Sequence, residues 1–240
     1  MCNLYNVTTT QEAVIAWTRA MRDASGNWAP SMTVGPDRHG PIVRNAPDGL
    51  RELVRVRWGL PSSQYALMEA TKKRAAKLEA KGKSVDFAEM LKMEPDAGTT
   101  NVRRVDSKHW TRWLGVENRC VVPITSFAEW DKVNRRNQWF AVSEERPLAF
   151  FAGIWVPQWT SVRKIREGLV TIDLYAFLTT DANDIMKPIH DKAMPAILTT
   201  AEETETWLSA PWEEARLLQR PLPNDMTALV DAPQDAITVQ

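Results

Sequence analysis

Cysteine, histidine and glycine are scarce in this sequence, which has 2, 3 and 10 of them among 240 residues. Two cysteines cannot build a disulfide framework, so we expect a cytoplasmic protein in a reducing compartment. His39 and His109 lack the spacing to other cysteine, histidine or carboxylate residues that metal sites show, and we predict no metal and no cofactor. No apolar run reaches the roughly 18 residues that a membrane span needs, and the first residues have no signal-peptide pattern.

An excess of charge of one sign is also absent, because Lys and Arg together number 30 and Asp and Glu also number 30. A uniformly basic surface is thereby excluded, so any contact with nucleic acid must come from a local patch. Tryptophan, by contrast, is abundant, with 11 residues. Most should be buried in a core, although indole rings also stack on unpaired bases. The length fits one domain, and we treat residues 1–240 as one.

Strand and helix patterns are mixed without regular βαβ alternation, which predicts an α+β domain with a mixed, largely antiparallel and barrel-like β core flanked by helices. Strand-like apolar, β-branched or aromatic runs lie at 41–44, 53–58, 119–123, 138–142, 148–156 and 171–178. Capping boxes and periodicity predict helices over 10–24 with Thr9 as N-cap, from Thr200 through Trp207, and over 211–219. Residues 62–98 are rich in Lys, Glu, Ala and Met and predict a helical insertion or lid.

Cys2 is the candidate nucleophile, because removal of Met1 would leave its thiol and a free α-amine two carbons apart. An α-amine has a pKa near 7.7–8.0, against about 10.4 for lysine, so an appreciable fraction is neutral at pH 7. Such an aminothiol can form a Schiff base with an aldehyde through nitrogen and then close a five-membered thiazolidine ring through sulfur. A cysteine at position 2 is weak evidence by itself, since a chain can carry one there by chance.

Three polar residues stand inside or beside apolar segments: Asn101, Glu129 and His190. Each has an ordinary explanation when considered alone. Asn101 fits a turn, Glu129 fits a strand-end carboxylate in solvent, and His190 fits a hydrogen-bonded histidine in a loop. Their order along the chain after Cys2 is what gives them further meaning. The other cysteine, Cys120, lies in a strand-like run and is expected to be an unreactive buried residue.

Four separated motifs together resemble the SRAP family, the SOS-response-associated peptidases, also called abasic-site processing proteins. The motifs are Cys2 behind Met1, Asn101-Val102-Arg103, Phe127-Ala128-Glu129-Trp130, and Ile189-His190-Asp191 followed by Lys192 and Pro195. Ala29-Pro30, Trp58-Gly59 and Thr179 add weaker matches. The resemblance covers most of the chain and weakens over 62–98 and after about residue 212, where single-motif matches carry little weight.

The resemblance implies that the mature amino-terminal cysteine attacks the ring-opened aldehyde of an abasic site in single-stranded DNA. The product is a stable thiazolidine crosslink between DNA and protein. Cys2 would supply amine and thiol, and Glu129 would do the acid and base work, with a pKa raised by Phe127 and Trp130. His190 would shuttle protons, and Asn101 would orient the Cys2 amine. Removal of Met1 by the protein itself and a lyase reaction at the lesion are further expectations.

The DNA contacts implied are phosphates at Arg103, Arg104 and Lys192, and aromatic walls chosen among Trp58, Trp110 and Trp113. Thr179 is added to the expected DNA-binding residues because it matches a threonine of the family pattern. This sequence departs from the family pattern at two places that affect the DNA-binding surface more than the crosslinking chemistry. Asn3-Leu4-Tyr5 stands where many members have Gly-Arg-Phe, and the segment from His190 to Pro195 is one residue longer than usual. We expect a monomer that binds abasic single-stranded DNA and no membrane.

Two other readings remain open from the residues. One keeps Cys2 as nucleophile in an amino-terminal-nucleophile amidohydrolase or thiol peptidase, with the α-amine as base. That reading gives Glu129 no obvious role. The other is a non-catalytic protein that binds single-stranded DNA, which retention of Met1 would favour.

Overall fold

The computed structural model describes residues 2–29 and 31–234. In these ranges the helices are α1 (Gln11–Thr18), α2 (Gln64–Glu79), α3 (Phe87–Lys92), α4 (Lys108–Thr111), α5 (Ala201–Ser209) and α6 (Trp212–Ala215). The strands are β1 (Leu4–Val7), β2 (Arg22–Ala24), β3 (Met32–Val34), β4 (His39–Asn45), β5 (Arg51–Trp58), β6 (Asn101–Val102), β7 (Arg119–Ile124), β8 (Ser126–Asp131), β9 (Arg136–Ala141), β10 (Ala149–Val162), β11 (Leu169–Thr180), β12 (Met194–Pro195), β13 (Ile197–Leu198) and β14 (Ala228–Val230).

A closed barrel of five strands forms the centre of the fold. Its strands follow the order β11, β10, β7, β4 and β5, each antiparallel to the next. The barrel closes where β5 pairs in parallel with β11, with Trp58 opposite Tyr175. The predicted α+β class and barrel-like core are therefore confirmed. Closure leaves these strands without free edges along the paired stretches, which removes a route to edge-to-edge aggregation.

A second, antiparallel sheet has the strand order β14, β9, β8, β1 and β3. It packs on the barrel through Tyr5 of β1, whose ring makes edge contacts with Trp58, Phe151 and Phe177. The Tyr5 hydroxyl lies 2.5 Å from that of Tyr175 in the buried interior. Strands β1 and β8 were not predicted, because each is short and interrupted by polar residues that the fold buries.

The helix ends follow the capping chemistry in the sequence, with one shift. Thr10, one residue after the predicted cap, accepts from the Ala13 amide and begins α1. The helix ends at Thr18 rather than near residue 24, because Arg22–Ala24 pairs in parallel with β5. Helix α5 begins as predicted, with Thr200 accepting from the Glu203 amide. Within residues 62–98 the chain forms helices α2 and α3, and the description of this segment as an insertion or lid stays a prediction.

The predicted barrel strands are present, and they pack around large buried side chains. Trp207 of α5 is fully buried and donates from Nε1 to the carbonyl oxygens of Cys120 and Gly153. This contact fastens α5 to two adjacent barrel strands. Cys120 itself is fully buried, and burial raises the pKa of its thiol, as expected for a core residue. In the described ranges, no helix is both long and apolar enough to cross a membrane.

Candidate functional site

Cys2 lies two residues before the start of β1 and close enough to Glu129 of β8 for that carboxyl group to affect its thiol. Strand β1 pairs with β8 in a register that sets Leu4 opposite Ala128. The Cys2 side chain is buried, at 1% exposure, and its thiol donates to the Leu4 carbonyl oxygen at 3.3 Å. Two residues separated by 127 positions of sequence are thus brought together by a backbone ladder. This is the first pair of the predicted site that the fold assembles.

Asn101 reaches Cys2 from the barrel side. Strand β6 pairs in parallel with the end of β11, with Asn101 opposite Phe177. Its Nδ2 donates to the carbonyl oxygen of Cys2 at 3.0 Å and to the Thr100 hydroxyl at 2.8 Å. Its Oδ1 is buried and accepts no hydrogen bond from the part of the chain that is described. The Asn101 side chain therefore holds the backbone of Cys2 through Nδ2, and its Oδ1 remains available as a hydrogen-bond acceptor beside it.

Glu129 is a buried carboxyl group on β8, with 1% of its surface exposed. Burial raises its pKa to about 7, against an opposing effect of the positive amino terminus. Phe127 lies on the same face of the strand, since side chains alternate. Trp130 faces the other way and is 44% exposed, so the expectation that it helps desolvate Glu129 is wrong. A carboxyl group with a pKa near 7 can both give and take a proton under neutral conditions.

The Cys2 thiol is correspondingly hard to ionise. Burial raises the pKa of the thiol well above its ordinary value, and the negative charge of Glu129 adds to the effect. Hydrogen bonding by the backbone of Leu4 and the positive amino terminus act in the opposite direction without reversing it. At neutral pH the sulfur is therefore present as a thiol. Thiolates are the nucleophilic form of cysteine, so the site does not favour direct attack by sulfur as a first step.

His190 belongs to the loop that leads from the end of β11 to β12. Its ring Nδ1 lies 3.1 Å from the carbonyl oxygen and 3.3 Å from the amide nitrogen of Ala193. Ala193 follows His190 by three positions, so these contacts close a short turn of the loop against the ring. Partial burial lowers the pKa of His190, and the positive amino terminus lowers it further. The imidazole is therefore neutral at pH 7 and close enough to the amino terminus to be affected by its charge.

Arg103 is tied to the loop that carries His190. Its guanidinium donates to the carbonyl oxygens of Thr180, at 2.9 Å, and of Lys192, and it forms an ion pair with Asp181. Part of its hydrogen-bonding capacity is thus used within the protein, which sequence reasoning did not predict. The side chain remains 42% exposed. Arg104 and Lys192 are exposed, so their predicted contacts with phosphate remain predictions.

Two of the predicted DNA-facing residues are inside the protein. Trp58 is fully buried, donates from Nε1 to the Thr100 carbonyl oxygen and stacks on Phe177. A base cannot stack on it in this arrangement, so Trp58 is a core residue. Thr179 is also buried, at 3% exposure. Its carbonyl oxygen accepts from Gln219, whose Nε2 also donates to the carbonyl oxygen of Arg103.

Trp110 and Trp113 pack together with His109 and Trp159. Trp113 is 7% exposed and Arg112 covers one of its faces, with the guanidinium carbon 4.0 Å from the ring centre. Trp113 is therefore no longer a candidate for stacking on a DNA base, whereas Trp110 is only partly buried. Across residues 2–29 and 31–234, no group of three or more His, Cys, Asp or Glu side chains is arranged to hold a metal ion.

The sequence did not reveal a small cavity beside the site. It has a volume of about 220 Å³ and is lined by Asn3, Leu4, Pro36, Trp130 and Asn137. In sequence, Asn3 and Leu4 follow Cys2 and Trp130 follows Glu129. The indole of Trp130, which is 44% exposed, is the aromatic side chain among the residues that line this cavity. Strand alternation could have indicated it, since a residue next to a buried strand position faces the other way.

These features define a single α+β domain in which the buried Cys2 lies near a side-chain amide at the barrel, Asn101, and a carboxyl group of the second sheet, Glu129. The chain belongs to the SRAP family, SOS response associated peptidase, whose family model matches residues 1–233. A curated relative is the abasic site processing protein YoaM of Bacillus subtilis (strain 168), 32% identical over 96 residues. That match spans 39% of this chain and 39% of the relative.

Solved structures share the fold at low sequence identity. A protein from Bordetella bronchiseptica has a TM-score of 0.62 at 22% identity, with 96% of this chain and 100% of that chain covered. A protein from Bacteroides thetaiotaomicron has a TM-score of 0.63 at 21% identity, with 95% and 90% covered. A phage-related protein from Bordetella bronchiseptica has a TM-score of 0.60 at 17% identity, with 95% and 92% covered. At these identities the likeness concerns the fold alone.

Proposed function

We propose that this protein processes abasic sites in single-stranded DNA by forming a covalent thiazolidine crosslink through Cys2 once Met1 has been removed. The observation that carries the proposal is the assembly of Cys2, Asn101 and Glu129 from three distant parts of the chain around the amino terminus. Membership of the SRAP family and the name of the curated relative, abasic site processing protein, support a role in DNA damage.

The ionisation states support an order of events in which nitrogen reacts first. The thiol is protonated at neutral pH because its pKa is raised, whereas a free α-amine with a pKa near 7.7–8.0 is partly neutral there. The amine nitrogen adds to the aldehyde carbon of the ring-opened sugar and gives a carbinolamine. The carbinolamine loses its hydroxyl as water, and a carbon–nitrogen double bond forms. One water molecule is released, and no oxidant or reductant is needed.

Ring closure follows from the position of the sulfur on the same residue. The thiol sulfur adds to the imine carbon, and its proton ends on the nitrogen, so the five-membered ring forms without a further leaving group. Glu129 suits two proton transfers in this sequence, opening of the sugar hemiacetal and loss of the hydroxyl as water, because its pKa of about 7 leaves both forms populated. Neutral His190 can accept the proton that the amine releases.

Asn101 has a positioning part in this scheme. Its Nδ2 fixes the Cys2 carbonyl group, and its Oδ1 can accept a hydrogen bond from the amine or from the ring nitrogen of the product. The backbone nitrogen of Cys2 becomes the reacting amine, so orientation of this one residue sets the direction of attack. A lyase reaction by β-elimination from the imine, and removal of Met1 by the protein itself, are included in the proposal as side reactions of the same groups.

A second candidate function is a thiol peptidase or amidohydrolase that uses Cys2 on an amide. The family name carries the word peptidase, which favours keeping it under test. The raised pKa of the thiol argues against it, because a peptidase of this kind needs a readily formed thiolate. A non-catalytic protein that binds single-stranded DNA is the third reading, and it requires no reaction at Cys2.

The test uses mature protein, with removal of Met1 verified by intact mass, and single-stranded DNA that carries one abasic site. We expect a heat-stable adduct without borohydride, with a mass equal to protein plus DNA minus one water. Cys2→Ala should give only an adduct that needs reduction, since it keeps the amine and lacks the sulfur. A preparation that retains Met1 should give no stable adduct. An equally stable adduct with Cys2→Ala, or no adduct with mature protein, would overturn the proposal.

A further inference from the structure

Helix α2 presents a lysine-rich face that the chemistry at Cys2 does not use. Residues 64–83 contain six basic side chains and two acidic ones. Thr71 and Ala75 are buried against the rest of the protein, whereas Lys73 and Lys77 are exposed on the outer face. They are separated by four positions, which places them about 6 Å apart along the helix. Lys81, just beyond the helix end, is also exposed and continues the row. We call Lys73, Lys77 and Lys81 the lysine row.

The acidic groups near the lysine row offset only part of its charge: Lys73 interacts electrostatically with Glu69, although the main partner of Glu69 is Lys72. Lys72, beside the row, pairs with Glu69 at 2.8 Å, and Arg74 pairs with Glu94 at 2.9 Å on the inner side. No ion pair of the described residues involves Lys73, Lys77 or Lys81. Because the whole chain has a net charge of zero, this local excess of positive charge stands out as a site for a polyanion.

Small side chains accompany the lysine row. Ala66, Ala70, Ala76 and Ala80 are all exposed on this helix. Small side chains therefore flank Lys73 and Lys77 on the surface of the helix. A regular array of negative charges a few ångströms apart matches this surface, and a nucleic-acid backbone provides one, with about 3.4 Å of helix axis per phosphate of each strand in a duplex.

The insertion is fastened to the candidate site rather than attached as a loose tail. Its two ends meet where Leu60 and Thr99 exchange backbone hydrogen bonds of 3.0 and 2.7 Å. Thr100 then accepts from Trp58 Nε1 through its carbonyl oxygen, and the next residue is Asn101. Helix α2 is also linked to the far end of the insertion, because the Thr71 hydroxyl donates to Glu94 at 2.8 Å. These contacts fix the base of the insertion next to Asn101, which holds Cys2, and the lysine row lies further along α2.

We propose that the lysine row of α2 binds phosphates of the DNA strand flanking the abasic site, as a second contact surface outside the crosslinking site. The inference rests on the proposed function for its ligand. It assigns a purpose to the segment where resemblance to the family is weakest. From Lys73 to Lys81 the lysine row spans eight positions, about 12 Å at the helical rise, and would follow about three or four nucleotides at the duplex spacing.

The test compares the native protein with the charge-reversed variant Lys73→Glu/Lys77→Glu/Lys81→Glu, and with Lys73→Arg/Lys77→Arg/Lys81→Arg as a control that keeps the charge. The probe is unmodified single-stranded DNA of about 30 nucleotides, longer than a single module usually covers. We expect the Glu variant to bind at least about tenfold more weakly at low salt, with a salt slope smaller by about 2, as loss of three phosphate contacts implies. The Arg variant should bind like the native protein.

Crosslinking to an abasic oligonucleotide of about five nucleotides, with the lesion in the middle, separates the two proposals, because the roughly 7 Å of strand on either side of the lesion is shorter than the lysine row. Native and Glu variants should crosslink it at equal rates. If the native protein forms no crosslink, the proposed function fails. If both form it and the Glu variant binds the long DNA as tightly as the native protein, the lysine row is not a DNA surface. Binding of anionic phosphatidylserine vesicles that depends on the row, with unchanged DNA affinity, would equally overturn the inference.

Discussion

The side-chain amide of Asn101 donates a hydrogen bond of 3.0 Å to the backbone carbonyl oxygen of Cys2. The bond joins the second residue of the chain to a two-stranded parallel contact at the end of β11. It restrains the residue whose nitrogen and sulfur are the proposed reacting atoms. A restraint on the backbone of Cys2 acts on both atoms at once, which no contact to the thiol alone would do.

Loss of that restraint should slow crosslinking. A hydrogen bond of this kind contributes about 0.5–1.5 kcal/mol, and about 1.4 kcal/mol corresponds to a factor of ten. We expect Asn101→Ala to reduce the single-turnover rate about tenfold while the Cys2 chemistry remains possible. Asn101→Asp, of the same size, should be slower still, because a carboxylate oxygen would face the Cys2 carbonyl oxygen. Quench-gel kinetics with abasic DNA measure both. Native rates in both variants would show that the bond does not position Cys2.

The rate of crosslinking should pass through a maximum near neutral pH. Neutral amine increases as pH rises through about 8, and protonated Glu129 decreases as pH rises through about 7. Glu129→Gln removes the acid, so we expect a rate about 10²-fold lower that only increases with pH. The descending limb should be absent in that variant. Its persistence in Glu129→Gln would assign the limb to another group.

Burial of Glu129 should also make stability depend on pH. Its folded pKa of about 7 lies above the ordinary value of 4.5, so between these values the folded state binds more protons than the unfolded state. Stability from this group is therefore fully present below about pH 4.5 and is lost as pH rises through about 7, by about 3 kcal/mol in total. Urea unfolding at about pH 5 and about pH 9 should show this decrease in the native protein. In Glu129→Gln the decrease should be smaller by that amount, and equal decreases would refute the assignment.

Asp181 should limit DNA binding because its carboxylate forms an ion pair with the guanidinium of Arg103, which is then less available to a phosphate. We expect Asp181→Asn to raise affinity for single-stranded DNA about threefold at low salt, since the freed donor can reach a phosphate. Asp184→Asn is the matched control, because Asp184 lies in the same loop and pairs with Lys187 instead. Fluorescence anisotropy with abasic-site-free DNA measures both. An equal gain in the control would mean that net charge, and not release of Arg103, is responsible.

Gly40 should not tolerate a larger residue. A Cβ at this position would overlap the hydroxyl oxygens of Tyr5 and Tyr175, which already form a short hydrogen bond in the core. We expect Gly40→Ala to destabilise the protein by about 1–3 kcal/mol, the usual cost of overpacking. Gly35→Ala should be nearly neutral, because its Cβ would lie 3.4 Å from a Leu4 methyl group. Thermal melts of the two variants provide the comparison, and equal melting temperatures would contradict it.

Local patterns in the sequence were enough to predict most of the barrel. Strands β4 and β5 follow from the strand-like runs at 41–44 and 53–58, and α5 follows from its capping box at Thr200, because these signals depend on neighbouring residues only. The register of β1 against β8 could not be predicted, since it is set by pairing between residues at least 120 positions apart. Burial of Trp58, which removes it from the DNA surface, depends on the same long-range closure.

The sequence by itself determined the reactive groups: a cysteine behind Met1, and an asparagine, a glutamate and a histidine in motifs that indicate the family. Only the tertiary structure decided their ionisation and their partners. The pKa of Glu129 is raised because the second sheet buries it, and Arg103 is engaged because the His190 loop folds onto it. Both outcomes depend on the distance of charged groups from water and from one another, a quantity that the order of residues does not contain.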